Sequence, residues 1–185
     1  MTKEKTWDYF ILVARCLIGF IFVSYGYSKL FDGQFGITEQ ELNTPIKDLN
    51  LFRISWYLFD HQPFKSIIGI FQIITGILLL INRTALLGAF MFIPIVITIL
   101  IIDISFMPPL LASSFTWRLL FYLILDILII WHYKERIRQI WRSLTREIST
   151  KFKFKWGYYA LIPIFVVLLE VLGAIPKILL SYLGM

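Results

Sequence analysis

Long, nearly uncharged apolar runs constrain this chain more than any other feature of its sequence. Five of them approach the ~20 residues that a helix needs to span a hydrocarbon core of about 30 Å. They cover approximately residues 9–30, 64–81, 85–106, 115–131 and 157–180. Because 58% of the 185 residues are hydrophobic and 16% are charged, the surface of such helices is suited to lipid. The sequence therefore predicts an all-α integral membrane protein that crosses the bilayer five times.

The connections between these runs predict how the helices are arranged. Only Asn82-Arg83-Thr84 joins the second run to the third, which requires an antiparallel hairpin. Met107-Pro108-Pro109 separates the third run from the fourth, since proline cannot continue a helix. In the long first loop, residues 31–63, apolar side chains recur at helical intervals and predict an amphipathic interfacial helix, either a cap over the bundle or an anchor. These side chains are Leu42, Ile46, Leu49, Phe52, Trp56 and Phe59.

The positive charge of the chain is concentrated between the fourth and fifth runs. Residues 134–155 carry eight basic and two acidic side chains, which account for the whole formal net charge of +6. The basic ones are Lys134, Arg136, Arg138, Arg142, Arg146, Lys151, Lys153 and Lys155. Such loops remain in the cytoplasm and contact anionic lipid headgroups. The predicted partner is therefore the lipid bilayer, and no nucleic-acid partner is expected. The N-terminus is then cytoplasmic and the C-terminus lies outside. We expect the membrane to be a cell membrane, and specifically a bacterial inner membrane.

Four polar side chains near the predicted outer face form the first candidate site. Ionisable groups inside a membrane span are costly, so they should face the bundle interior and find partners. Lys29, Asp103 and Arg118 all fall in the outer third of their helices, with Gln72 expected nearby. They predict either a ligand-binding polar cavity or a set of structural ion pairs.

A second polar group is predicted deeper in the bundle, toward the inner face. Arg15 on the first helix and Asp126 on the fourth are expected to form a structural ion pair. Glu170 on the fifth helix is a further candidate for structural ion pairing.

Motifs of enzyme active sites are missing from the sequence. No metal-ligand spacing, phosphate loop or nucleophile elbow occurs, so no catalytic residue and no metal ligand is assigned. His61 and His132 fall at opposite faces of the predicted bundle, which argues against a haem held by both. The sequence favours a protein that is not an enzyme by itself.

The first two spans and the ends of the next two resemble the DoxX-like family of membrane proteins. The matching residues are Arg15, Gly19, Phe22, Gly26 and Lys29-Leu30, then Gly69, Gln72, Gly76 and Arg83-Thr84, and finally Asp103 and Arg118. The resemblance implies a four-helix transmembrane bundle over residues 1–133. A basic interfacial segment (134–156) and an added fifth transmembrane helix with the C-terminus (157–185) follow it.

The same resemblance implies a general class of function but no specific reaction. Relatives of this kind include a small subunit of a thiosulfate–quinone oxidoreductase and membrane partners of redox enzymes. We therefore expect an accessory or anchor subunit, with another membrane or redox protein as partner, that handles quinone or another small molecule. A small-solute carrier with an outward-facing polar cavity and an assembly factor for another membrane protein are the alternatives.

Overall fold

The computed structural model of the protein describes residues 2–146 and 153–182, and of 177–181 only the backbone. Within these ranges the chain forms eight α-helices and one 3-10 turn, Ile46–Asp48. The helices are α1 (Lys3–Leu30), α2 (Glu39–Leu42), α3 (Leu51–Phe59), α4 (Phe64–Leu80), α5 (Ala85–Phe106), α6 (Pro109–His132), α7 (Lys134–Thr145) and α8 (Trp156–Tyr182). The chain divides into two compact units, residues 1–140 and 141–185.

The first unit is built on an antiparallel bundle of four helices. α1 packs against α4 and α6, and α5 packs against the same two helices, so the four close into a ring. The rings of Phe22 and Phe92 meet inside it with their centroids 4.4 Å apart. The other buried core side chains are Ile11, Ala14, Ile18, Leu79, Ala89, Val96, Leu119, Tyr122, Leu125 and Ile129. The predicted all-α helical bundle is confirmed.

Among the described residues, four helices are long and apolar enough to cross a membrane, and a bent pair of helices can supply the fifth crossing that the sequence predicts. α1, α5, α6 and residues 156–176 of α8 are each long and apolar enough to do so. The 17-residue α4 and the preceding α3 meet at a bend of 80°, and counting this pair as one span brings the number to five. Large apolar side chains such as Phe20, 66% exposed, and Leu87, 54% exposed, point away from the bundle core. The fold is that of a multi-pass membrane protein whose outer surface suits lipid.

α1 and α4 approach each other so closely that their contact requires glycine. A Cβ atom added to Gly76 would lie 2.6 Å from the carbonyl oxygen of Gly19. Two helical turns away on α4, a Cβ atom added to Gly69 would lie 3.0 Å from the carbonyl oxygen of Gly26. Small residues at such crossings allow two helix backbones to touch in a membrane. The two helices therefore form the tightest pair of the ring.

The prediction that one amphipathic helix carries the apolar stripe from Leu42 to Phe59 is wrong, because the segment is divided and only its second part, α3, is such a helix. Thr38 begins α2 with a capping box to Glu41, and Pro45 follows after the helix has ended. Proline has no N–H group and disfavours helical backbone in the residue before it, so α2 cannot extend. α3 begins anew at Leu51, after the N-cap residue Asn50, whose side chain accepts a hydrogen bond from the backbone N–H of Arg53. Of the predicted apolar stripe, Trp56 becomes buried.

The segment after the bundle begins with α7, which follows α6 after the single residue Tyr133. It is strongly amphipathic, with Ile137 and Ile140 set between basic side chains, as the sequence predicts. Residues 147–152 of the predicted basic segment and 183–185 at the C-terminus lie outside the described residues. α8 is a 27-residue helix with Pro163 and Pro176 inside it.

Candidate ligand-binding site

The candidate site lies at the loop end of the bundle, where α1 and α5 end and α4 and α6 begin. Lys29 stands in the last turn of α1, where a cation is stabilised by the helix dipole, and it is 3% exposed. Its Nζ donates a hydrogen bond to Gln34 Oε1 at 2.6 Å and lies 5.3 Å from the centroid of the Phe35 ring. The turn that brings Gln34 back over α1 contains Asp32 and Gly36, both with positive φ. Lys29 is thus enclosed by a short loop of its own chain.

Asp103 and Arg118 complete the charged part of the site. Asp103 is buried in the last turn of α5, at 5% exposure, and Arg118 belongs to the third turn of α6. Arg118 Nε donates a hydrogen bond to the hydroxyl of Tyr122 at 3.1 Å. Among residues 2–146 and 153–182, neither Arg118 nor Lys29 comes within the 4.0 Å of a carboxylate oxygen that defines an ion pair. The structure brings the three predicted residues together, but around a cavity instead of in a closed network.

Two adjoining cavities meet at these residues. The larger, of about 440 Å³, lies between α3, α4 and α5, and the smaller, of about 280 Å³, reaches toward α6. Both are lined by Lys29, Gln34, Trp56, Ile99 and Asp103. The larger cavity is otherwise lined by Phe35, Phe59, Phe64, Ile68, Pro94, Ile95, Thr98, Ile102 and Phe106. The smaller adds Tyr25, Gly33, Phe52, Met107, Leu111, Phe115, Arg118 and Leu119.

The walls of the two cavities differ in chemistry. Aside from the shared residues, the larger one is almost wholly aliphatic and aromatic. The smaller one receives Arg118 in addition to Lys29 and Asp103, so it has two cationic side chains and one acidic side chain. A concave apolar space with a few convergent polar groups is the usual form of a small-molecule site.

A lid formed by residues 31–63 covers this end of the bundle. The indole N–H of Trp56 donates a hydrogen bond to the backbone oxygen of Gln34 at 2.6 Å. The same indole ring contacts Phe35 and Phe52, with centroids 5.5 and 4.2 Å away. Sequence reasoning missed Trp56 and Gln34 as site residues, because the apolar stripe that contains Trp56 was interpreted only as the face of an interfacial helix. The signal that could have found Trp56 was its place on the apolar stripe of the loop.

Two ionic clamps hold the lid. Lys65, which is 5% exposed at the start of α4, contacts the carboxylates of Asp32 and Asp60, the latter at 2.6 Å. Arg53 binds both carboxylate oxygens of Glu41, at 2.5 and 2.7 Å. That side-chain hydrogen bonding, together with the Thr38 backbone N–H, lowers the pKa of Glu41 from its ordinary value to about 2. The lid is therefore tied to α4 by one clamp and internally braced by the other.

Gln72 does not reach the cavities in which it was expected. It lies eight residues into α4, about 12 Å from the helix start, and is 0% exposed. Its side chain is absent from the lining of either cavity described above. Within the described residues, neither of its amide atoms has a hydrogen-bond partner, and the same holds for the hydroxyl of Thr75.

The expected ion pair of Arg15 and Asp126 is not formed. Arg15 donates hydrogen bonds to the carbonyl oxygens of Leu79 and Leu80, at 3.0 and 3.4 Å, and to the Tyr133 hydroxyl at 3.3 Å. The last carbonyls of a helix lack partners of their own and carry partial negative charge, so the end of α4 competes successfully for the guanidinium. Both carboxylate oxygens of Asp126 are buried without a hydrogen-bond partner among the described residues.

Glu170 lies near the middle of α8, in the second unit, and its expected pairing stays a prediction. Within the described residues, no group of three or more His, Cys, Asp or Glu side chains is arranged to hold a metal ion.

Comparison with known proteins identifies the fold that carries this site. A family model described as DoxX matches residues 10–103, which is half of the chain. This chain belongs to the DoxX family. The DoxX match includes Lys29, Gln72 and Asp103, whereas Arg118 and the rest of α6 lie beyond it. The DoxX-like resemblance of the sequence is confirmed over this region.

One curated relative is the uncharacterized protein YwoB of Bacillus subtilis (strain 168), which is 37% identical over 93 residues. The matched region covers 50% of this chain and 59% of YwoB, so this chain matches little more than half of the length of that relative. No solved structure matches this DoxX protein.

Proposed function

We propose that this DoxX-family protein is a non-enzymatic accessory subunit that holds a small amphipathic molecule, such as a quinone, within the membrane for a partner protein. The observation that carries the proposal is the cavity of about 440 Å³ beneath the lid, with apolar walls and with Lys29 and Asp103 at one side. Its volume falls in the range of ordinary small-molecule pockets. A single polar region in an apolar space matches a ligand with a polar head and an apolar body.

The hydrogen-bonding capacity of the site supports a carbonyl-bearing head. The Lys29 ammonium has three N–H donors, and its one described hydrogen bond is to Gln34. Its remaining donors are available to a quinone oxygen, while Asp103 is available to accept from a quinol hydroxyl. Ile68, Ile95 and Ile102 supply an apolar wall for a ring or a short chain.

An accessory role follows from the kind of groups that line the cavity. They supply binding, positioning and a proton donor, but a quinone also exchanges electrons. The partner protein would supply the redox group for that exchange. The family resemblance supports the same division of labour, since its known members include partners of redox enzymes.

A small-solute carrier is the second candidate, and Pro94 favours it. This proline lies in the cavity wall within α5, where it removes one backbone hydrogen bond of the helix. α5 nevertheless runs unbroken over 22 residues, whereas carrier sites often use interrupted helices. Uptake of a labelled solute by proteoliposomes would raise this candidate above the first.

A cavity-filling variant tests the first candidate. Ile99 lines both cavities, so Ile99→Phe should weaken binding of a short-chain ubiquinone at least tenfold (about 1.4 kcal/mol). Ile97→Phe is the matched control, because Ile97 is on the same helix, 40% exposed and outside the lining. Binding is measured by equilibrium titration of the protein in phosphatidylcholine nanodiscs. Equal affinity in both variants, or no binding to the unsubstituted protein, would overturn the proposal.

A further inference from the structure

The charge of the smaller cavity is unbalanced. Lys29, Asp103 and Arg118 are the strongly ionisable side chains that line it, two basic and one acidic. When all three are ionised, their formal sum is one positive charge. Lys29 and Asp103 are buried, whereas Arg118 is exposed on a membrane-spanning helix. A buried or membrane-facing charge is costly without a counter-ion, so this space favours an anion.

Arg118 has the most unused binding capacity in this space. A guanidinium has five N–H donors in a planar fork that matches carboxylate and phosphate oxygens. The one hydrogen bond of Arg118 given among the described residues uses Nε and ends on the Tyr122 hydroxyl. No described carboxylate lies within 4.0 Å of it, although it stands within a membrane-spanning helix.

The two cavities are placed so that one molecule can occupy both. Lys29, Asp103, Gln34, Trp56 and Ile99 belong to both linings, so the spaces adjoin at the charged residues. From that junction, the larger space continues along Ile68, Ile95 and Phe106. An acidic head would sit between two cations, and its chain would lie against aliphatic and aromatic side chains.

We propose that the ligand of this site is a single-chain amphiphile with an oxyanion head. The head lies between Lys29 and Arg118 in the smaller cavity, and the chain lies in the larger one. This rests on the proposed function, because the same cavity holds the amphipathic molecule, and it assigns an anionic head in place of the neutral quinone head. A fatty acid carboxylate and an alkyl phosphate share the chemistry that these cations recognise.

Competition between matched heads tests the proposal. The protein is placed in phosphatidylcholine nanodiscs at about pH 8.5, where a carboxylate is ionised. Quenching of Trp56 by 12-bromododecanoate is measured, and the signal of a Trp56→Phe variant is subtracted, because Trp56 lines both cavities. Dodecanoate, dodecyl phosphate, dodecanol, acetate and a short-chain ubiquinone are the competitors. We expect dodecanoate or dodecyl phosphate to bind at least tenfold more tightly than dodecanol, and acetate to bind weakly.

Substitutions at two positions, Arg118 and Asp103, should shift this preference in opposite directions. Arg118→Gln should weaken the binding of dodecanoate about tenfold and leave the binding of dodecanol unchanged. Arg118→Lys should restore part of the lost affinity for dodecanoate. Asp103→Asn removes the opposing charge and should tighten dodecanoate severalfold. Arg83→Gln, at an exposed cation of the opposite bundle end, is the matched control and should change neither.

The outcomes separate this proposal from the function on which it rests. Equal binding of dodecanoate and dodecanol, or an equal loss of both in Arg118→Gln, overturns the oxyanion head. Ubiquinone is also titrated without the probe and read by its own quenching of Trp56. Binding of ubiquinone without binding of the probe or of either anion overturns the oxyanion head and supports the proposed function. If neither the probe nor ubiquinone quenches Trp56, both proposals are overturned.

Discussion

The two ends of the bundle use buried cations in opposite ways. At the hairpin end, where residues 81–84 join α4 to α5, Arg15 is satisfied by two helix carbonyls and a hydroxyl. At the loop end, Lys29 makes one hydrogen bond, to a side chain of the lid, and borders two cavities. Their exposures are almost equal, at 4% and 3%. Burial alone therefore does not distinguish a structural charge from a binding charge, whereas the number and kind of its partners do.

The sharpest test of this contrast is the stability cost of removing each cation. Arg15→Met loses three hydrogen bonds and leaves carbonyls at the end of α4 unpaired, so we expect a loss of about 3 kcal/mol of unfolding free energy. Lys29→Met loses one hydrogen bond and relieves a desolvated charge, and should cost about 1 kcal/mol. Reversible unfolding by SDS in mixed micelles measures both. An equal cost for the two variants would remove the contrast.

The packing of the hairpin end gives the next largest effect. Gly76→Ala would force a methyl group against the backbone of α1 and should destabilise the protein by about 2 kcal/mol. Val13→Ile is the control, because it adds a methyl group to α1 at a position that is 48% exposed. It should change the unfolding free energy by less than about 0.5 kcal/mol. If both substitutions are neutral, α1 and α4 do not depend on their backbone contact.

The smallest effect concerns the lid of the loop end and depends on pH. Because Arg53 lowers the pKa of Glu41 to about 2, the clamp stabilises the lid fully above the ordinary carboxyl pKa of 4.5. Its contribution should be lost as the pH falls from about 4.5 to about 2, when Glu41 becomes protonated. Trp56 fluorescence, taken as the difference from Trp56→Phe, reports the lid.

A Glu41→Gln variant supplies the comparison for that titration. Without the carboxylate, its Trp56 signal should already be altered at neutral pH and should change less through the acid range than the signal of the unsubstituted protein. The same acid transition in the variant and in the unsubstituted protein would assign it to a group other than Glu41.

The arrangement of the helices could be predicted from the sequence because hydropathy and loop length decide it. Asn82-Arg83-Thr84 leaves no choice but a hairpin, and the antiparallel order then brings Lys29 and Asp103 to the same bundle end. The division of the lid helices at Pro45 could also have been predicted from the sequence, since proline at that position disfavours a continuous helix.

The partners of the buried polar groups could not be predicted in the same way. Arg15 binds backbone carbonyls, and a backbone oxygen has no sequence signature. Gln72 shares a helix face with the glycines of α4, but only the packing depth separates it from the cavities. Helical spacing gives the face of a residue and leaves open which neighbour its side chain reaches.

The glycine contact between α1 and α4 has a consequence for how a molecule can enter. The backbones of α1 and α4 touch at two places, Gly19 with Gly76 and Gly26 with Gly69, so the two helices could separate only by losing both contacts. α5, on the other side of the larger cavity, lacks one backbone hydrogen bond at Pro94. The cavity thus has one stiff wall and one compliant wall, and its doorway to the bilayer is expected on the α5 side.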